Sequence, residues 1–229
     1  VPDENYGVIE VGPGIGVLTN ELGKAAQKVV AVEIDKRLIP VLGETMSDRK
    51  NVKVINDDVM KMDLHKLIED EFDGMNVAVC ANLPYYITSP VIMKLLEEKL
   101  PVDCVTVMVQ KEAAERICAP AGTRDCGALT IAVRYYAEPE MLFEVKADSF
   151  MPAPKVDSAV IRLNIRKEPI VSPICEKTFF AVVKASFLQR RKVISNTLAS
   201  GLGISKSEII NLLENVGIPL NARAEQLGM

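Results

Sequence analysis

Five times in the first 120 residues a short run rich in valine and isoleucine gives way to an amphipathic stretch, and this alternation limits the folds open to the chain. The apolar runs fall near 8–11, 28–33, 52–56, 76–81 and 103–109, and the helical patterns near 17–26, 36–47, 61–70, 89–99 and 110–119. Consecutive apolar residues without a period of two suit strands covered on both faces, and a helix between each pair makes the strands parallel. The expectation is an α/β fold built on a doubly wound sheet. Two later runs, Ala128–Tyr136 and Ser158–Ile165, are separated by a proline-bearing segment rather than a helix. They are expected to pair antiparallel at the sheet edge, giving seven strands with the last one reversed.

Beyond Arg166 the pattern changes. Pro169 and Pro173 interrupt it, Phe179, Val182, Val183 and Phe187 recur at helical spacing, and Ile204-Ser205 opens a further segment. The chain is therefore divided at 167/168, into a sheet domain and a small helical subdomain. With 229 residues, 48% of them hydrophobic, it can bury one α/β core and leave about 60 residues for such an appendage.

Composition removes several function classes. No stretch approaches the ~20 apolar residues of a membrane span, and no charged segment leads into an apolar run at the start, so a cytoplasmic protein without a membrane partner is expected. Because the chain opens on Val1 and enters a strand within a few positions, it is read as starting partway into a longer parent. Five cysteines form no CxxC pair, which leaves no disulfide framework and no metal site in prospect. The single histidine, His65, lies in a polar stretch away from any nucleophile motif, so a Ser-His-Asp triad is not available. The formal net charge of −4 is unevenly spread: residues 1–167 carry 20 Lys/Arg against 26 Asp/Glu, and residues 168–229 carry 7 against 5. A basic tail keeps nucleic acid in view as a partner.

The segment Glu10-Val11-Gly12-Pro13-Gly14-Ile15-Gly16 sits between an expected strand and an expected helix. Its glycines permit a tight turn and let a ligand approach main-chain amides at a helix N-terminus. Dehydrogenases use a similar loop, and a plain tight turn also satisfies it. Seventeen residues after Gly16, Glu33 ends the second strand, where a carboxylate can accept both hydroxyl hydrogens of a ribose. Asp58, in Asn56-Asp57-Asp58-Val59, follows the third strand where its oxygen could take a hydrogen bond from an adenine amine; a helix cap is the alternative role.

Asn82-Leu83-Pro84-Tyr85 closes the fourth strand at the carboxyl edge of the sheet, where ligands of open α/β sheets bind. The exocyclic nitrogen of adenine is a poor nucleophile because its lone pair is delocalised into the ring. Two acceptors, the Asn82 side-chain oxygen and the Leu83 carbonyl, can hold its protons and favour a tetrahedral nitrogen as a new bond to carbon forms. Pro84 stiffens the turn, and the Tyr85 ring offers a surface on which a base can stack. An ordinary Asn-x-Pro turn is the competing reading, but it leaves the glycine loop and Glu33 without a partner motif.

Taken together, these motifs make the chain resemble the ribosomal RNA adenine N6,N6-dimethyltransferase family, the KsgA type, which is related to the erythromycin-resistance methyltransferases. The resemblance extends over nearly the whole chain through Met108-Val109-Gln110-Lys111-Glu112, Phe150-Met151-Pro152-Ala153-Pro154-Lys155-Val156-Asp157-Ser158-Ala159-Val160 and Phe187-Leu188-Gln189-Arg190-Arg191-Lys192. It implies a Rossmann-like class I methyltransferase sheet and S-adenosylmethionine as methyl donor, without a metal. The implied cofactor set is Glu10, Gly12, Gly14, Gly16, Glu33, Ile34, Asp58, Val59 and Asn82. The implied catalytic set is Asn82, Leu83, Pro84, Tyr85 and Phe150, with Phe150 facing Tyr85 across a flipped adenine. Lys155 and Arg190-Arg191-Lys192 are the implied RNA contacts, with Arg116 a further candidate. Family members carry a basic arm with a Gly-Gln-Asn-Phe-Leu segment before the first strand and a final helix after the segment resembling Arg223–Leu227; neither is in this sequence.

The implied activity is dimethylation of two adjacent adenosines in a hairpin near the 3′ end of small-subunit (16S) ribosomal RNA, in ribosome biogenesis, by a monomer acting on pre-30S particles. No general base is required, since an ammonium formed at N6 is acidic enough to lose its proton to water. Three other readings stand beside it. An erythromycin-resistance enzyme would modify large-subunit RNA, and a non-catalytic RNA-binding assembly factor would keep the fold without methyl transfer. A nicotinamide oxidoreductase would share the glycines and Glu33 but give Asn82–Tyr85 no task.

Overall fold

The computed structural model describes residues 4–228, so residues 1–3, Val1 among them, and Met229 lie outside it. In the first half of the chain, strands and helices alternate as the apolar runs require: β1 (Tyr6–Val11), α1 (Val17–Ala25), β2 (Lys28–Glu33), α2 (Ile39–Thr45), β3 (Val52–Asn56), α3 (Leu64–Glu71), β4 (Asn76–Asn82), α4 (Thr88–Glu97), β5 (Cys104–Gln110) and α5 (Lys111–Cys118). Then follow α6 (Ala128–Tyr136), β6 (Ala137–Val145), β7 (Ser158–Ile165), α7 (Glu176–Ser186), α8 (Ile194–Leu202) and α9 (Lys206–Asn215).

The seven strands form one sheet in the order β3-β2-β1-β4-β5-β7-β6. β1 to β5 pair parallel, while β7 runs antiparallel to both β5 and β6. Val8, Ile9, Val29, Val30, Val79, Val105, Ile161 and Leu163 are wholly buried, as expected for strands covered on both faces. After β3 the chain returns past β1 to place β4 on its other side. The carboxyl ends of β1 and β4 therefore flank the point where the winding reverses, the place at which open α/β sheets bind their ligands.

One expected strand is a helix. Ala128–Tyr136 forms α6, and the antiparallel partner of β7 is the next segment, Ala137–Val145. The run misleads because Thr130, Ile131, Ala132, Val133, Tyr135 and Tyr136 are all buried, so no polar face marks its period. Its start is fixed by Thr130, whose hydroxyl oxygen accepts the Gly127 N–H at 2.9 Å while the hydroxyl donates to the Arg116 carbonyl at 2.7 Å. β6 in turn is disguised by Pro139. A proline is tolerated there because β6 ends the sheet order and its outer edge has no strand to bond.

The residues gather into two compact units, Val1–Ala114 with Ala137–Ile165, and Glu115–Tyr136 with Arg166–Met229. The first holds the sheet. The second combines α6 and the end of α5 with α7, α8 and α9, so 115–136 groups with the C-terminal helices rather than with the strands around it. Within this unit Arg134 donates to the carbonyls of Ala119 and Cys118 at 2.7 and 2.8 Å, satisfying groups at the end of α5. Ala185, Ile194, Leu198, Ile209, Leu213 and Ala222 form its apolar centre. No helix among the described residues is long and apolar enough to cross a membrane.

Candidate active site

The loop after β1 takes its shape from three glycines in the left-handed region, Gly12 (φ 70°), Gly14 (φ 61°) and Gly16 (φ 92°). Gly16 is the residue before α1, and a side chain there would be strained by its φ and would press on Met46, Leu42 and Thr45, with a Cβ 3.0–3.2 Å from their atoms. Gly12 faces the neighbouring loop: a Cβ at that position would lie 3.5 Å from Leu83 Cδ2. The glycine loop and Asn82-Leu83-Pro84-Tyr85 thus meet at the reversal point of the sheet.

Two carboxyls serve this loop, in different ways. Glu33, buried at the end of β2, accepts the Gly14 N–H at 3.2 Å and the Asp35 N–H at 2.8 Å. A carboxylate has about four acceptor positions, so two remain for ligand hydroxyls. Glu10 is 1% exposed, and among the described residues its Oε2 has no hydrogen-bond partner. Burial pushes its pKa up to about 7; the neighbouring Thr19 hydroxyl draws it back in part, and the charge of Glu33 raises it further. A buried carboxyl with one oxygen unpartnered, beside a ligand loop, is suited to a cationic group.

At the next strand end Asp58 behaves as a cap. Its Oδ1 accepts the Met60 N–H at 3.0 Å, and its backbone carbonyl accepts the N–H groups of Lys61 and Met62 at 2.9 and 3.0 Å. Oδ2 lies 3.5 Å from Lys61 Nζ. Val59 beside it is buried, whereas Ile34, after Glu33, is exposed.

Asn82 ends β4 opposite Met108 of β5 and is exposed. Leu83 turns inward and is buried, while Pro84 and Tyr85 return to the surface. The turn is closed by the Pro84 carbonyl, which accepts the Ile87 N–H at 3.1 Å and the Thr88 hydroxyl at 3.3 Å just ahead of α4. The Tyr85 hydroxyl and Ser158 Oγ are 2.8 Å apart. Phe150 is half-buried at the end of a 3-10 turn, Ala147–Ser149, and its ring does not contact that of Tyr85 among the described residues.

The sheet unit therefore contains Glu10, the three glycines, Glu33, Ile34, Asp58, Val59, Asn82–Tyr85, Phe150 and Lys155, the last exposed on its loop. Arg190, Arg191 and Lys192 lie in the helical unit, in the exposed turn between α7 and α8, where Arg190 donates to the Arg124 carbonyl. Sequence reasoning gave no role to Ser158 and Asp157, although both stand in the segment that carried the resemblance. The available signal was a small polar residue opening β7 on the face it shares with Val160, Arg162 and Asn164, opposite the buried Ala159, Ile161 and Leu163.

A parallel sheet with one reversed strand, a glycine loop, an acidic residue ending β2 and Asn-Leu-Pro-Tyr after β4 together define an amine-directed methyltransferase of the Rossmann-like class. The sequence pattern of the ribosomal RNA adenine dimethylase family matches residues 2–227, and the chain belongs to that family. It is 53% identical over 221 residues to a ribosomal RNA small subunit methyltransferase A of Alkaliphilus oremlandii, covering 96% of this chain and 77% of the relative. The protein of the same name in Geobacillus thermodenitrificans is 52% identical over 227 residues, covering 97% and 78%. Among solved structures, a dimethyladenosine transferase from Plasmodium falciparum superposes with a TM-score of 0.78 at 25% identity, covering 99% of this chain and 87% of the other. The 23S rRNA methyltransferase ErmE superposes with a TM-score of 0.71 at 28% identity, covering 98% and 87%.

Proposed function

We propose that the protein transfers methyl groups from S-adenosylmethionine to the N6 amines of two adjacent adenosines, in a hairpin near the 3′ end of small-subunit ribosomal RNA. The observation that carries this reading is the placement of Asn82–Tyr85 against the glycine loop at the reversal point of the sheet. The relatives near half identity, each named as a small-subunit enzyme, favour that subunit over the large one. The protein would work as a monomer in the cytoplasm, on pre-30S particles during ribosome biogenesis.

The residues present fit the methyl donor. Glu33 would hold the ribose through its two open acceptor positions. Glu10, buried with its Oε2 unpartnered, would face the positively charged end, and the amides of the glycine loop would take the carboxylate. Asp58 caps its own turn through Oδ1, and its Oδ2, 3.5 Å from Lys61 Nζ, would also accept the adenine amine, with Ile34 and Val59 as apolar cover. When bound, the donor supplies an electrophilic methyl carbon for in-line displacement.

The chain's own part in the reaction is positioning and electrostatics. Asn82 Oδ1 and the Leu83 carbonyl accept the two hydrogens of the target amine and favour its pyramidal form. The Pro84 turn, locked by Ile87 and Thr88, keeps that carbonyl aimed. Tyr85 and Phe150 offer the two aromatic faces that an extruded base needs. Lys155, Arg191 and Lys192 contact phosphates, and Arg190 shares itself between RNA and the Arg124 carbonyl.

Replacing Asn82 with alanine removes one preorganised acceptor, so methyl transfer to small-subunit precursor particles at saturating cofactor is expected to fall about 10²–10³-fold, with the melting temperature unchanged. Unchanged transfer would overturn the reading. Equal methylation of large-subunit RNA would instead favour the erythromycin-resistance activity.

A further inference from the structure

The two aromatic faces come from separate segments, Tyr85 after β4 and Phe150 ahead of β7. Stacking on both sides of one base demands that their separation be fixed. Two consecutive residues supply the connection.

Ser158 is wholly buried as the first residue of β7, with Gln110 of β5 on one side and Val145 of β6 on the other. Its backbone is held from both neighbouring strands, so its hydroxyl is a stationary partner. That hydroxyl lies 2.8 Å from the hydroxyl of Tyr85. Tyr85 is itself 36% exposed, and the hydroxyl contact fixes the far end of its ring.

Asp157 ties the other face. Its Oδ1 accepts the Ala147 N–H at 3.0 Å and its Oδ2 the Lys146 ammonium at 2.7 Å. Its carbonyl accepts the Lys111 N–H at 3.0 Å, which fastens it to the end of β5. The loop from 146 to 157 is thereby closed at its neck. Phe150 stands at the end of the 3-10 turn that begins at this tie, donating its N–H to the Ala147 carbonyl at 3.3 Å.

We propose that Asp157 and Ser158 are a positioning pair that sets the gap between Tyr85 and Phe150, Ser158 by holding the Tyr85 hydroxyl and Asp157 by anchoring the turn that ends in Phe150. The inference rests on the base-clamp reading above. Neither residue touches the base. The Tyr85 hydroxyl thus has a job distinct from that of its ring: the ring stacks, the hydroxyl aims it.

The test is a double-mutant cycle on the full chain, with methyl transfer to small-subunit precursor particles as one readout. The second readout is the fluorescence of a target hairpin carrying 2-aminopurine at the modified position. Tyr85→Phe keeps the ring of an exposed residue and so leaves folding intact. It and Ser158→Ala are each expected to lower kcat about fivefold, the factor one neutral hydrogen bond is worth, with KM for RNA within about twofold. The double variant should be no worse than either single one, Ser158→Thr should restore the rate, and 2-aminopurine should be less quenched in both single variants. Asp157→Asn, acting on the other face, should multiply with Ser158→Ala.

Unchanged kcat and quenching in Tyr85→Phe, alongside lost activity in Tyr85→Ala, would overturn the positioning role and leave the clamp standing. Full activity in Tyr85→Ala would overturn the clamp itself, and the pair with it. Additive losses from Tyr85→Phe and Ser158→Ala, accompanied by a lower melting temperature in the serine variant alone, would reduce Ser158 to a structural residue and also overturn the proposal.

Discussion

Glu10 shows how the role proposed for a side chain at a ligand site can stand against stability. In the unfolded chain its carboxyl ionises near 4.5, whereas in the folded protein burial holds the proton until about 7. Between those values the folded state binds a proton the unfolded state has released, so stability is greatest below 4.5 and declines as pH rises to 7. The shift corresponds to about 3 kcal/mol, all of it lost above neutrality. Glu10→Gln carries no charge at any pH. Its melting temperature relative to the parent is therefore expected to rise steadily from pH 5 to pH 8, and a difference independent of pH would contradict the burial argument. A cation seated against Glu10 reverses the balance, which gives an otherwise costly carboxyl a reason to be there. Gly12–Gly16, Glu33 and Asn82–Tyr85 could be singled out in the sequence because each is set by local chemistry at a strand end, and the structure places them at the ends of β1, β2 and β4. The sequence left open whether Asp58 caps its own turn, which its Oδ1 does, and it could not disclose that Ser158 meets Tyr85 across 73 positions of chain.

At the scale of elements, two helix glycines predict opposite signs for one substitution. Gly43 in α2 is exposed, and a Cβ there meets nothing within 4 Å. Alanine should stabilise it by ~0.5–1 kcal/mol through its better helix propensity. Gly201 in α8 is where that helix approaches α7: an added Cβ would fall 2.5 Å from Ala185 Cβ and 2.8 Å from Ala185 Cα. Overpacking costs ~1–3 kcal/mol and outweighs the propensity gain, so Gly201→Ala should lower stability. Denaturant titration of the two variants side by side checks both signs. The same distinction between local pattern and tertiary contact explains which elements the sequence revealed. β1 to β5 and α1 to α5 were legible because each apolar run is bounded by polar residues of a different period. α6 was not, since burial on nearly every side erased its 3.6-residue signature, and β6 was hidden because its proline is harmless only on an edge strand. α9 was signalled locally by Ser205, whose hydroxyl accepts the Glu208 N–H while the Glu208 carboxylate accepts the Ser205 N–H. Ser205→Ala should cost ~1 kcal/mol by the same titration.

For the whole molecule, charge is sorted by unit more sharply than along the chain. The helical unit, once 115–136 is counted with it, carries 12 Lys/Arg against 7 Asp/Glu, whereas the sheet unit carries 15 against 24. Arg116, Arg124 and Arg134 come from the segment that the sequence pattern assigned to the sheet, which is why the basic surplus looked slight when read by position. A phosphate backbone gains most from the unit with the surplus, and each cation it engages releases counterions. Arg191 and Lys192 stand exposed in the α7–α8 turn, whereas Arg190 is engaged with the Arg124 carbonyl. Alanine at Arg191 or Lys192 should therefore reduce the slope of log affinity against log salt by ~0.7–0.9 each, with melting unaffected. Arg190→Ala should reduce the slope by less and also lower the melting temperature, because the loop at 119–127 loses a tie. Lys50 and Lys66, exposed on the sheet unit, provide the control, and their removal should leave the slope within error of the parent. If all four exposed cations changed the slope alike, RNA would be held by diffuse charge across both units, and the proposed phosphate contacts of Arg191 and Lys192 would be wrong.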